Sequence, residues 1–245
     1  MTQNYQQQSS SQLYWVAENV ISTEFPPVDS ALRSPAGLLA IGGDLDEERL
    51  LSAYQQGIFP WYNHGQPVMW WSPDPRCVFE PDNIHISRSL CKTLRKKKFT
   101  VTLNKDFARV IGGCAAPRID HDETWISHDI IQAYTSLHRN GYAHSVECWI
   151  DEQLAGGLYG VAIDKIFFGE SMFSRVSDAS KVALIHLARF LSSQSFRLID
   201  CQIYSDHLAR LGAKKISRKQ FCQVLKKQSA ELKPHYWPGQ YLNYE

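Results

Sequence analysis

Two glycine-rich apolar runs, Leu154–Ile163 and Ile166–Phe173, are separated only by the turn dipeptide Asp164–Lys165, and no other feature constrains this chain as much. Short apolar runs bounded by turn residues read as buried strands. Upstream, His144–Ile150 alternates as a third strand and leads into them through Asp151–Glu152. Downstream, Ala179–Ser193 has helical periodicity: Ala183, Leu187 and Leu191 line one stripe at i, i+4 and i+8, with Leu184 beside it and Ser177 or Asp178 as the cap. The segment Arg197–Tyr204 then reads as a further strand. Three meandering strands, a helix and a strand predict a mixed sheet with one crossover, an α+β fold.

Polar residues inside those strands point to chemistry. Period-2 geometry puts Ile166, Phe168, Glu170 and Met172 on one face, and Asp200 and Gln202 on one face of the later strand. Burying a carboxylate is costly unless it is paired. Glu170 and Asp200 are therefore candidates for a structural ion pair or for a site, and the ion-pair reading of Glu170 would use Arg175 or Lys181.

Elsewhere the chain supplies fewer signals. Residues 1–12, MTQNYQQQSSSQ, lack the cationic start and apolar core of a signal peptide and read as a disordered tail. Residues 13–74 are rich in turns, with Pro26–Pro27, Pro35 and Gly42–Gly43, and read as a small N-terminal domain. It includes a short helix, Leu45–Gln56, capped by Asp44 and closed by Gly57. Longer periodic elements begin near Trp71–Pro75, so residues 75–245 form the second domain. There, Lys105–Cys114 reads as a helix ending at Gly112–Gly113, and Asp129–Arg139 as another. Trp70 and Trp71 read as core, whereas Trp61, in a loop beside Pro60, suits a stacking platform.

The segment His85–Lys98 carries Arg88, Lys92, Arg95 and Lys96 at helical spacing, extended by Lys97 and Lys98. It reads either as a solvated face or as a phosphate-binding one. With a formal charge of +1, 44% hydrophobic and 21% charged residues, the chain is an ordinary globular protein and not a uniformly basic nucleic-acid binder. No window approaches the ~18 uninterrupted apolar residues of a membrane span. The six cysteines and nine histidines show no metal-ligand spacing, so no metal is expected, and the cysteines read as reduced cytosolic thiols.

The order of the second domain resembles the core of the Gcn5-related N-acyltransferase fold. That fold carries a glycine-rich turn for the pyrophosphate of coenzyme A, whereas the corresponding turn here, FSRVSDASK, has no glycine. At the level of motifs, GLLAIGGDL, GIFPWY, WWSPDPR, HISRS, TWIS, GGLYGVA, FFGESMFSR, ASKVAL and LIDCQ, in this order from about Phe25 to Leu211, resemble the leucyl/phenylalanyl-tRNA–protein transferases.

The resemblance implies a bacterial, cytoplasmic enzyme without cofactor or metal. It would move leucine or phenylalanine, and also methionine, from aminoacyl-tRNA to the N-terminal amine of proteins beginning with arginine or lysine, marking them for N-degron proteolysis. Asp200 and Gln202 would then flank the attacking amine, with the Asp200 carboxylate accepting from the Gln202 amide. Glu170 would hold the acceptor's cationic end. Trp61 and Trp125 would bind the terminal adenosine, while Leu158, Met172, Leu184, Leu187 and Leu191 would form the side-chain pocket. Arg88, Lys92, Arg95, Lys96, Lys97 and Lys98 would follow the tRNA phosphates. Two other classes stay open at this stage: a coenzyme-A-dependent N-acetyltransferase and a non-catalytic RNA-binding module. On this reading Asp200→Ala slows transfer at least tenfold while the fold survives.

Overall fold

A computed structural model describes residues 13–18, 24–117, 124–226 and 232–242. The tail at 1–12 and most of the acidic loop before Trp125 lie outside the described residues. A four-stranded sheet uses β1 (Tyr14–Val16), β2 (Leu38–Gly42), β3 (Phe59–Pro60) and β4 (Met69–Trp71), ordered β1-β2-β4-β3, with helix α1 (Glu47–Gln55) between β2 and β3.

The larger sheet has eight strands among the described residues: β5 (Arg76–Phe79), β6 (Thr100–Leu103), β7 (Ala143–Ile150), β8 (Gln153–Ile163), β9 (Ile166–Ser174), β10 (Leu198–Asp200), β11 (Lys214–Ile216) and β12 (Gln240–Tyr241). Their order is β11-β5-β10-β9-β8-β7-β6-β12. Around it lie α2 (Arg88–Arg95), α3 (Phe107–Ala115), α4 (His128–Arg139), α5 (Ala179–Ser193), α6 (Asp206–Arg210) and α7 (Arg218–Leu225). Only β9 and β10 run parallel in this sheet, joined by α5 as the crossover. The expected α+β class, with a small N-terminal sheet and an acyltransferase-like mixed sheet, is what the chain adopts.

Both faces of the large sheet are covered, so β7, β8 and the first half of β9 are buried almost throughout, the polar His144, Ser145 and Glu147 of β7 included. Tyr159 and Phe168 pack with Tyr54, Trp70 and Tyr134 on the side of α1, α3 and α4. Their neighbours Leu158 and Phe167 pack with Leu187 and Leu191 on the side of α5. The glycines serve close approach. A Cβ at Gly156 would sit 2.7 Å from the Ala179 Cβ, so a side chain there would push the first turn of α5 off the sheet.

Several boundaries differ from the expectation. Asp46, not Asp44, caps α1 by accepting from the Glu48 amide, while Asp44 pairs with Arg49. Gly112 and Gly113 do not end α3, which continues to Ala115; Gly113 is there because the Phe173 ring lies against it. Asp178 stands at the N-cap position of α5, but neither its side chain nor that of Ser177 makes the capping bond. Asp178 has φ 70° and no capping bond, and Ser174 Oγ instead accepts from the Ser180 amide at 2.9 Å. Helix α2 stops at Arg95, and Lys97 turns the chain at φ 47°, so Arg88, Lys92 and Arg95 share a helix while Lys97 and Lys98 lie beyond it.

The largest departure concerns β9. Tyr159 pairs with Ser171 and Gly160 with Gly169, which leaves Glu170 as an extra residue, a β-bulge. Parity inverts across it. Phe168 lies on the Tyr54 side, whereas Met172 packs against the α5 side. The four residues expected on one face are therefore split between two, and the strand has turned over at its carboxylate.

Candidate active site

Strand β10 accompanies β9 for three residue pairs only, ending at Asp200 opposite Phe168. Beyond that point β9 continues through the bulge, while the chain after Asp200 follows β5: the Cys77 amide donates to the Gln202 carbonyl at 3.1 Å. The expected strand Arg197–Tyr204 is cut short because Gln202 adopts a left-handed backbone, φ 55°. The two strands part, and the gap opens into a cleft of about 830 Å³.

The sequence places the hinge of this opening on a buried ion pair. Arg76, from β5, meets Asp200 in a two-toothed contact, Nε to Oδ1 at 2.8 Å and Nη2 to Oδ2 at 2.6 Å. Neither side chain reaches solvent. The remaining Arg76 nitrogen donates to the Gly57 carbonyl at 2.8 Å, and the guanidinium is flanked by the rings of Phe59 and Phe221. Asp200 thus fills the ion-pair alternative through a partner that spacing did not suggest. Its link to Gln202 is also different: Asp200 Oδ1 accepts from the Gln202 backbone amide at 3.0 Å, not from the side chain. That bond pins the backbone turn that presents the Gln202 side chain.

Gln202 Nε2 donates to Glu170 Oε1 at 3.2 Å, which turns the carboxamide nitrogen toward the carboxylate and leaves the oxygen as the group's acceptor. The bulge aims Glu170 at α1 and α4, where Tyr134 donates to Oε2 at 3.1 Å and Tyr54 bonds to Tyr134. Neither Arg175 nor Lys181 pairs with it: Lys181 bonds to Asp178 at 2.9 Å and Arg175 reaches the Leu154 carbonyl. Burial pushes the Glu170 carboxyl up to about 7, and the Asp200 charge adds to the rise. Hydrogen bonds from Tyr54 and Tyr134, and the Arg76 charge, oppose it. Burial, with Glu170 next in order, also drives the Tyr54 and Tyr134 hydroxyls well above their usual range, so both stay protonated donors.

The cleft gathers seven of the sixteen expected residues. Trp125, Leu158, Met172, Leu184 and Leu187 line it together with Glu170 and Gln202. Leu191 does not line it and is buried one turn further along α5. Asp200 lies behind the wall, sealed from the cleft. Trp61 is 40% exposed and packs on Trp71 at 5.8 Å, outside the lining. Its neighbour Tyr62 hydrogen-bonds to Ser127, two residues beyond Trp125, so the two tryptophan segments are tied side by side. Arg88, Lys92, Arg95, Lys96, Lys97 and Lys98 are all exposed and do not line the cleft, and among the described residues none is in an ion pair.

Sequence reasoning missed Arg76 and the tyrosines at 54, 134 and 159. A cation flanked by Cys77, Val78 and Phe79 in a strand was a signal for Arg76, since such a group needs a buried partner. The tyrosines gave none, because an aromatic on a helical stripe (Tyr54, Tyr134) or inside a buried strand (Tyr159) is ordinarily core.

Among the described residues no three His, Cys, Asp or Glu side chains come together as a metal ion would require, and no helix is long and apolar enough to cross a membrane. Comparison with known sequences completes the description. The family profile for leucyl/phenylalanyl-tRNA protein transferase matches residues 78–226, and that for its N-terminal domain matches residues 43–74. The leucyl/phenylalanyl-tRNA–protein transferase of Azoarcus sp. (strain BH72) is 56% identical over 216 residues, covering 88% of this chain and 92% of its own. That of Nitrosomonas eutropha is 57% identical over 205 residues, 84% and 88% of the two chains. That of Cellvibrio japonicus is 59% identical over 204 residues, 83% and 87%. The chain belongs to the leucyl/phenylalanyl-tRNA protein transferase family.

Proposed function

We propose that this member of an aminoacyltransferase family carries leucine, phenylalanine or methionine from aminoacyl-tRNA to the N-terminal amine of proteins that begin with arginine or lysine. The observation that carries the reading is the parted sheet, which brings an apolar pocket, a ring and a Glu170–Gln202 pair to one cleft. The aminoacyl side chain enters among Leu158, Met172, Leu184 and Leu187, with Leu191 backing them. Such a pocket separates groups differing by a methylene by only ~1–3 kcal/mol, so several apolar donors are accepted. Trp125 stacks on the terminal adenosine, and the exposed ring of Trp61, outside the cleft lining, is the second platform for the same nucleoside.

The reaction is aminolysis of an ester. The α-amine forms the new C–N bond, the ribose C–O bond breaks, and the amine proton ends on the ribose hydroxyl. A free α-amine has a pKa near ~8, and the ester is already activated, so holding the two reactants together supplies much of the rate. Gln202, whose Nε2 is held by Glu170, accepts from the amine through its carboxamide oxygen. Asp200 is a positioning residue acting through the Gln202 main chain. Glu170 balances the charge of the acceptor's first side chain. Aminoacyl-tRNA as donor places the work in the cytoplasm.

Coenzyme A is disfavoured as donor by the turn before α5. The amides of Arg175 and Val176 bond to the Ala155 carbonyl, that of Ala179 to Val176, and that of Ser180 to Ser174 Oγ. Four amides around this turn are thereby engaged and cannot serve a pyrophosphate. The test supplies labelled Phe-tRNA, labelled acetyl-coenzyme A and a peptide with N-terminal arginine. Transfer of label from the tRNA is expected; transfer from coenzyme A, or binding without transfer, overturns the reading.

The exposed cations then follow the tRNA backbone. Replacing Lys96, Lys97 and Lys98 by glutamate is expected to lower the slope of log K against log salt by about 2–3, roughly one for each phosphate that is no longer neutralised. A slope equal to that of the unaltered protein would return this run to a solvated face.

A further inference from the structure

Tyr159 lines the cleft, and its completely buried hydroxyl has no hydrogen-bond partner among the described residues. Its ring is held edge-on to Tyr134 at 5.6 Å and to Phe107 at 5.8 Å, so it cannot swing to find one. On β8 it stands opposite Ser171, directly beside the bulge that carries Glu170, and it feels the Glu170 charge. Its polar neighbours are already engaged: Tyr134 and Gln202 donate to Glu170, and Tyr54 bonds to Tyr134. Buried polar atoms without partners on Ser72, His144 and His235 are not part of the cleft wall. An orphaned buried hydroxyl costs stability unless a ligand completes it.

We propose that Tyr159 is a specificity-determining residue of the acceptor subsite, whose hydroxyl oxygen accepts a hydrogen bond from the same cationic side chain that Glu170 balances and favours a guanidinium over an ammonium. The inference rests on the reading of Glu170 as the acceptor's counter-charge. A guanidinium spreads five N–H donors around a planar fork, so one edge engages a carboxylate while another reaches a separate oxygen. An ammonium donates from a single nitrogen and serves one of the two positions at a time. A lysine acceptor then leaves the tyrosine oxygen unpaired, and a site whose buried polar group goes unpaired discriminates against that ligand.

The test is Tyr159→Phe, which removes one unbonded atom and leaves folding unchanged or favoured. With Phe-tRNA as donor, kcat/KM for a peptide with N-terminal arginine is expected to fall about tenfold, through KM. The value for N-terminal lysine changes less than threefold, so the preference for arginine narrows. KM for the aminoacyl-tRNA stays constant. An unaltered arginine-to-lysine ratio overturns the inference, and so does a rise in KM for the tRNA, which would assign the hydroxyl to the donor. Glu170→Gln in parallel separates the two assignments. If it impairs both acceptors while Tyr159→Phe impairs neither, only the role of Tyr159 fails; if it spares both acceptors, the reading of Glu170 itself fails.

Discussion

Asp200→Ala is expected to lower the free energy of unfolding by about 3–5 kcal/mol, because it strands Arg76 as a buried charge with no counterpart. The guanidinium would keep the Gly57 carbonyl and the two flanking rings, but these do not neutralise it. Urea denaturation of the purified variant reads the loss directly. A decrease under about 1 kcal/mol would mean that water or rearrangement reaches this pair, contrary to its burial. The double variant Arg76→Leu/Asp200→Leu is expected to recover much of the deficit, since a well-packed apolar pair replaces a desolvated ionic one at little cost. Transfer at a temperature where Asp200→Ala is still folded falls at least tenfold, because the Gln202 turn loses its acceptor. The sequence alone suggested that the fold would survive this substitution; the ion pair with Arg76 is the reason it is expected to suffer.

Glu170→Gln is expected to reduce kcat/KM for a basic acceptor by about 100-fold, the order of effect seen when one partner of a buried, hydrogen-bonded charge pair is removed. The pH profile identifies the group. In the unaltered protein the carboxyl ionises near 7, so acceptor use rises with pH through that region, in addition to the rise near ~8 from the acceptor's own α-amine. In Glu170→Gln the limb near 7 disappears and the amine limb stays. Stability follows the same group with opposite sense. A carboxyl whose native pKa lies above its ordinary 4.5 binds its proton more tightly when folded. Its contribution is therefore fully present below about pH 4.5 and is lost as pH rises through about 7. The glutamine variant should lack that decline. A profile for transfer identical to that of the unaltered protein would remove Glu170 from acceptor binding.

The meander and the crossover helix were legible because each is written in local periodicity. The stripe through Leu184 and Leu187 and the runs on either side of Asp164–Lys165 fold as their spacing requires. What period-2 counting could not give was the bulge at Glu170, since an unpaired residue depends on which residues of β8 stand opposite. The same limit hid Arg76: it lies far from Asp200 along the chain, and only the placement of β5 beside β10 joins them. Gln202 reaches the cleft by a route that strand geometry does not give. Extended geometry would have set it beside Asp200, whereas a left-handed turn points it at Glu170 instead. Trp61 and Trp125 belong to loops, whose relative positions are set by contacts such as Tyr62 with Ser127 that no periodicity encodes.

The separation of β9 from β10 carries a consequence for traffic. A continuous sheet is a partition, and reactants on its two sides would never meet. Here the partition has a window, walled on one side by Leu184 and Leu187 of α5 and on the other by Tyr159 and Trp125. Under the proposed function, the apolar side chain of the ester lodges against α5 while the acceptor's basic end reaches toward Tyr159, so the two meet in the frame itself and neither must vacate its berth for the other to come and go.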